Sequence, residues 1–202
     1  MDEIVYPSTL TNGKTRDEIV RLLQKRLDEV RFQHCLRVEK TARELARRYH
    51  EDVDRAGLAG LLHDYAKQIP VADYRQLIKT GPYDPALLVY GRGVWHGVVG
   101  IAYIEREVGI TDKRVLQAIA RHTTGDPEMT PLDEIIFLAD FIEPARTLDS
   151  EKQARKAAKT DLTEATLIEL SSTLTYLVGA RKLIFPKTLD TYNALLQRSE
   201  SN

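Results

Sequence analysis

Apolar residues recur at intervals of three and four along almost the whole chain, the period of helices that bury one face. Asp17-Glu18 opens a stretch in which Ile19, Leu22, Leu23 and Leu27 share a side. A longer amphipathic run over 32–49 sets Leu36, Val38, Ala42, Leu45 and Ala46 on its apolar face, with arginines opposite. Asp54 is the expected N-cap of the next helix, which passes through Ala56, Leu58, Leu61 and Leu62 to His63-Asp64, with Pro70 as a stop. A short helix over 71–79 ends near Gly81-Pro82. Helical spacing resumes over 98–108, 112–122 and 131–143, then over a long segment 161–182 that Pro186 breaks, and finally over 188–197. The loosest part is 81–97, whose glycines and prolines surround Tyr83, Tyr90 and Trp95; it reads as a loop at the mouth of a site. No strand alternation or internal repeat intervenes. The pattern predicts one all-α domain over 15–198, a flexible extension over 1–14 and a frayed end at 199–202.

Composition changes this picture little. At 202 residues the chain can bury one sizeable core, and apolar and charged fractions of 43% and 29% are ordinary for a globular protein. A formal charge of −1 offers no global pull on nucleic acid or an anionic bilayer, so an anionic ligand needs a local site. Cys35 is the single cysteine; it excludes an internal disulfide and reads as a small buried hydrophobe. No apolar run reaches the roughly 20 residues of a membrane span, and Met1-Asp2-Glu3 is unlike the start of a signal peptide. The expectation is a cytoplasmic monomer or small homo-oligomer, bound neither to membrane nor to nucleic acid.

The histidines and two aspartates do change it. His63-Asp64 follows the apolar Leu58-Ala59-Gly60-Leu61-Leu62, and Asp140 lies inside Ile135–Ile142 with no basic residue one turn away on either side. Burying an ionised carboxylate there is costly unless a cation compensates. His96 and His122 fall at expected helix boundaries, and His34 lies in the 32–49 run; His50, in a polar stretch, reads as a surface residue. His34, His63, Asp64, His96, His122 and Asp140 exceed what one tetrahedral zinc takes and suit two divalent metals. Adjacent helical residues point about 100° apart, so His63 can address one metal while Asp64 bridges to a second.

The order His34, His63-Asp64, His96, His122, Asp140 resembles that of the HD superfamily of metal-dependent phosphohydrolases. Leu62-His63-Asp64-Tyr65-Ala66-Lys67, Arg121-His122-Thr123-Thr124-Gly125, Ile136–Pro144 and Leu183–Asn193 are similar to YqeK-type bacterial HD-domain proteins, which hydrolyse diadenosine tetraphosphate symmetrically to two ADP. The resemblance covers about residues 20–197. It implies a helical bundle with the metal site in its core, one iron-type metal at His34, His63, Asp64 and Asp140, a second at His96 and His122, and Asp64 between them. Mn, Co, Ni and Zn suit the same donors. Two departures stand out: 89–96 is bulkier and more basic than the family pattern, and the first 14 residues look like an addition.

Cleavage of a phosphoanhydride by a metal-bound hydroxide follows from that implication, with Asp64, His63 and Lys67 at the chemistry and no covalent nucleophile. Lys67, three residues after Asp64, and Arg146, within two turns of Asp140, are expected to meet phosphate. Thr123 offers a hydroxyl, and Phe185, Pro186, Lys187 and Thr188 are similar to the family's nucleotide-contacting segment. The implied partner is an adenine or guanine nucleotide, with ADP as product. Two other readings fit the same ligands: a phosphohydrolase of nucleoside monophosphates or cyclic dinucleotides, and a metal-dependent nucleotide sensor with little turnover. A scaffold with a structural metal fits worst, because such sites are usually closed and rich in cysteine.

Overall fold

The computed structural model describes residues 4–200, and its secondary structure is helical, with no strand among the described residues. The helices are α1 Ser8–Thr11, α2 Arg16–Arg26, α3 Glu29–Arg48, α4 Val53–Leu62, α5 Val71–Thr80, α6 Arg92–Val98, α7 Ile101–Tyr103, α8 Lys113–Arg121, α9 Pro131–Ile142, α10 Asp149–Ala157, α11 Leu162–Gly179 and α12 Pro186–Glu200. A 3₁₀ turn, Pro85–Val89, precedes α6, and a π turn, Ile104–Val108, continues α7.

α9 is the axis of the bundle. Leu132 through Ala139 are all buried, and the helix packs against α3, α4, α8 and α11. Thr130 and Asp133 close a capping box at its start, with Pro131 at its first position. α4 is as deeply set, with every residue from Ala56 to Leu62 buried. Its approach to α3 depends on Gly60, where a Cβ would lie 3.0 Å from Ala42 Cβ and 3.1 Å from Val38 O. Each buried leucine or isoleucine contributes about 1.5–3 kcal/mol, which holds these helices rigidly enough to present polar groups at their ends.

Several expectations change. Asp52, not Asp54, caps α4: Asp52 Oδ1 accepts from the amides of Asp54 and Arg55, while Asp54 pairs with Arg43. The segment 81–97 is anchored by Trp95, which is 1% exposed and donates its indole N–H to Leu87 O at 2.7 Å. The helix expected over 98–108 starts earlier, as α6, and breaks before α7 where the amides of Val99 and Gly100 both turn back to Trp95 O. α10 is an additional helix that the periodicity left out.

Pro186 does not merely break a helix; it opens α12, which continues to Glu200. Residues 4–14, expected to be flexible, are packed: Tyr6 Oη donates to Glu39 Oε1 at 2.6 Å, Asn12 Nδ2 donates to Gly109 O, and Leu10 joins the core. Residues 1–3 and 201–202, also expected to fray, lie outside the described residues. None of the described helices is long and apolar enough to cross a membrane.

Candidate metal centre

Five helices deliver six side chains to one place. His34 comes from the second turn of α3, which Asp28 caps; His63 and Asp64 close α4; His96 lies on α6; His122 ends α8; Asp140 lies in the last turn of α9. His34 Nε2 is 3.2 Å from His63 Nε2 and 3.0 Å from Asp140 Oδ1. His96 Nε2 is 3.1 Å from His122 Nε2 and 3.1 Å from Asp64 Oδ1. Donors held at about 2.0–2.2 Å from a divalent ion stand about 2.9–3.5 Å from their neighbours in the shell, so these are coordination-edge distances.

The tautomers sharpen the point. The Nδ1 atom of His63 donates to Gly60 O at 2.7 Å, that of His96 to Arg92 O at 2.6 Å, and that of His122 to Ile119 O at 2.6 Å. His34 Nδ1 faces Glu143 Oε1 at 3.2 Å. With Nδ1 of His63, His96 and His122 donating to carbonyls, each of these rings turns its Nε2 toward the others. Such an arrangement matches the second-sphere orientation of metal-binding imidazoles. The donor set therefore fits a divalent metal.

Asp64 sits between two groups of imidazoles. Its Oδ2 is 3.5 Å from His63 Nε2 and 3.9 Å from His34 Nε2, and its Oδ1 is 3.1 Å from His96 Nε2 and 3.8 Å from His122 Nε2. The residue is fully buried, and Oδ1 makes no hydrogen bond of good geometry. Burial opposes its charge, but the surrounding imidazoles, His63 foremost, hold its carboxyl well below the usual range. Burial likewise opposes and His34 and His63 outweigh it at Asp140. Burial lowers His96, and lowers His122 to about 4, so both are neutral at pH 7 as ligands must be.

A profile of the HD domain family matches residues 31–145, the span that contains all six side chains. The chain belongs to the HD-domain family. Symmetrical bis(5'-nucleosyl)-tetraphosphatases from Halalkalibacterium halodurans and Bacillus subtilis are 43% and 37% identical to it, over 90% and 91% of this chain and 97% and 99% of theirs. A crystal structure of an HD superfamily hydrolase from Clostridium acetobutylicum, described as involved in NAD metabolism, superposes with a TM-score of 0.85 at 35% identity. It covers 90% of this chain and 97% of that one.

Around the centre of the HD domain, the residues expected at substrate divide. Lys67 points inward, its Nζ 2.9 Å from His96 Nε2 and 3.3 Å from Asp64 Oδ1. Arg146 reaches Asp140 Oδ1 at 3.2 Å and so is tied to a candidate ligand. Thr123, Phe185 and Thr188 line a cavity of about 560 Å³ beside His122, and the Thr123 hydroxyl is buried with no hydrogen-bond partner among the described residues. Pro186 starts α12 and so sets the places of Phe185 and Thr188. Lys187, expected to add charge at the substrate, forms an ion pair with Asp126. His50 is exposed at the end of α3, away from the cluster, and Cys35 is fully buried, where burial pushes its thiol up.

Three contributors escaped the sequence reading. Glu143 accepts from Arg37 Nε at 2.6 Å and from the Ala145 amide, which together overcome its burial and bring its carboxyl down to about 2. It is thus a fixed anion for His34. Arg31 contacts Asp64 Oδ2 at 2.7 Å. Arg31 and Arg37 flank His34 at i−3 and i+3, a spacing that marks them as neighbours on one helix face. Tyr90 meets Phe185 edge to face at 5.1 Å, and no periodicity announces such a pair.

Proposed function

We propose that this protein cleaves dinucleoside polyphosphates symmetrically, taking diadenosine tetraphosphate and water to two ADP, the activity that its relatives' names give to them. The observation that carries the reading is the division of Asp64, whose Oδ2 faces His34 and His63 while Oδ1 faces His96 and His122. In this reading His34, His63, Asp64 and Asp140 would hold one divalent transition metal and His96 and His122 a second, with Asp64 beside both. Iron is our assignment; Mn, Co, Ni and Zn suit the same donors. Metals so held supply Lewis-acid polarisation of phosphoryl oxygens and lower the pKa of water from about 15.7 to about 7.

The chain's own groups do the rest. Glu143 fixes the His34 ring, and Arg146 orients Asp140. Arg31 and Lys67, on either oxygen of Asp64, add positive charge where a polyphosphate must pass. The buried Thr123 hydroxyl, without a hydrogen-bond partner among the described residues, would donate to a phosphate oxygen of the nucleotide. The edge-to-face pair of Tyr90 and Phe185 forms an apolar wall for a base, and Thr188 lines the same cavity. Base burial in that cavity aligns the chain of phosphates with the imidazoles, so an inner phosphorus is the one attacked.

Asp64→Ala tests this directly. Turnover of diadenosine tetraphosphate should be abolished and bound metal should fall below two per chain. Wild-type turnover in that variant would end the paired-metal reading.

A further inference from the structure

Gly93 borders two cavities near the centre. The first is the aromatic cavity of Tyr90, Phe185 and Thr123. The second, about 350 Å³, has a different character: Arg31, Lys67, Gln68, Arg92 and Asp28 line it. Its one carboxylate is committed, since Asp28 caps α3 through the Arg31 amide at 2.8 Å and accepts from the Gln68 side chain. Its three cations are not equally committed. Arg31 and Lys67 contact opposite oxygens of Asp64, so two of the residues that line the cavity also touch the shared carboxylate. Arg92 is exposed and makes no side-chain hydrogen bond or ion pair among the described residues, while its carbonyl fixes His96 Nδ1 at 2.6 Å.

We propose that this cationic cavity is a second polyphosphate subsite, which receives the leaving nucleoside diphosphate, and that Arg92 is its specificity-determining contact. The inference rests on the symmetrical cleavage proposed above. In that reaction the water oxygen bonds to one inner phosphorus, the bridging oxygen departs with the other, and each half leaves as a diphosphate. One half has its base in the aromatic cavity. The other half begins at the attacked bond and needs cations beside Asp64 and outside the aromatic cavity, which Arg31, Lys67 and Arg92 supply. A substrate with no second half, such as a nucleoside monophosphate, makes no use of Arg92. The guanidinium matches the fork of two phosphate oxygens, which an ammonium does not.

The test compares metal-loaded wild type, Arg92→Ala and Arg92→Lys on diadenosine tetraphosphate, with metal content and thermal midpoint checked for each. Arg92→Ala should raise KM about tenfold or more with metal content and midpoint unchanged, and Arg92→Lys should recover part of the loss. Calorimetric titration with ADP should give two bound per wild-type chain and one per Arg92→Ala chain. Turnover of Arg92→Ala within twofold of wild type, with two ADP still bound, would overturn the subsite. If wild type leaves the tetraphosphate intact, the proposed activity fails, and the ADP titration decides the subsite alone: equal stoichiometry in wild type and Arg92→Ala rejects it.

Discussion

His96 and His122 present their Nε2 atoms to each other at 3.1 Å while both Nδ1 atoms are committed to main-chain carbonyls, so two lone pairs share one gap. A cation in that gap turns the repulsion into attraction, and binding to the folded state alone stabilises it by mass action. At a hundredfold excess over the dissociation constant the gain is about 2.7 kcal/mol, which for a chain of this size moves Tm by about 5–10 °C. Chelator should lower the midpoint by that much and Fe, Mn or Co should restore it. A midpoint indifferent to chelation would show that the imidazoles hold no metal.

Glu143 acts on the metal site through His34 and not on substrate. Replacing it should therefore loosen metal while sparing the nucleotide cavity. Glu143→Ala should weaken metal affinity about 10–100-fold, measured by competition with a chromophoric chelator, and excess metal should recover much of the turnover. Failure of excess metal to help would mean that Glu143 does more than orient the ring.

The Tyr90–Phe185 pair makes a separable prediction. If it packs against a base, Phe185→Ala should raise KM for diadenosine tetraphosphate about tenfold, in line with roughly 1–3 kcal/mol per stacked base. Metal content should not change. An unaltered KM would assign the ring to the fold alone.

Asp126 gives a pH dependence away from the metal centre. Burial opposes its charge, but Lys187, the Glu128 amide and Arg121 outweigh that and hold its carboxyl below the ordinary range. A depressed carboxyl stabilises the fold above its unfolded pKa, near 4, and loses that contribution as pH falls through the folded value. Asp126→Asn should thus lower Tm at pH 7, with the gap to wild type closing below pH 4. A gap that persists at pH 2 would contradict the ion pair.

Much of the centre was legible because the sequence places carboxylates where apolar neighbours make charge expensive. Asp64 after Leu58–Leu62 and Asp140 within Ile135–Ile142 both carry that signature, and the helical period supplied the elements that hold them. What escaped depends on distance in sequence. Tyr6 with Glu39 and Asn12 with Gly109 tie residues 4–14 down across gaps that no local pattern encodes. α10 is rich in charge and buries only Glu151 and Ala154, so it lacks the stripe that reveals a helix. Asp52 and Asp54 are equally good caps on paper, and Arg43 on the neighbouring helix decides between them. The Lys187–Asp126 pair is hidden for the same reason, since its partners are 61 residues apart.

Product analysis tests symmetrical cleavage at a metal centre most directly. Metal-quantified protein given diadenosine tetraphosphate should yield ADP alone, with turnover abolished by chelator and restored by Fe, Mn or Co. AMP and ATP in equal amounts, or no turnover with two metals bound per chain, would contradict it.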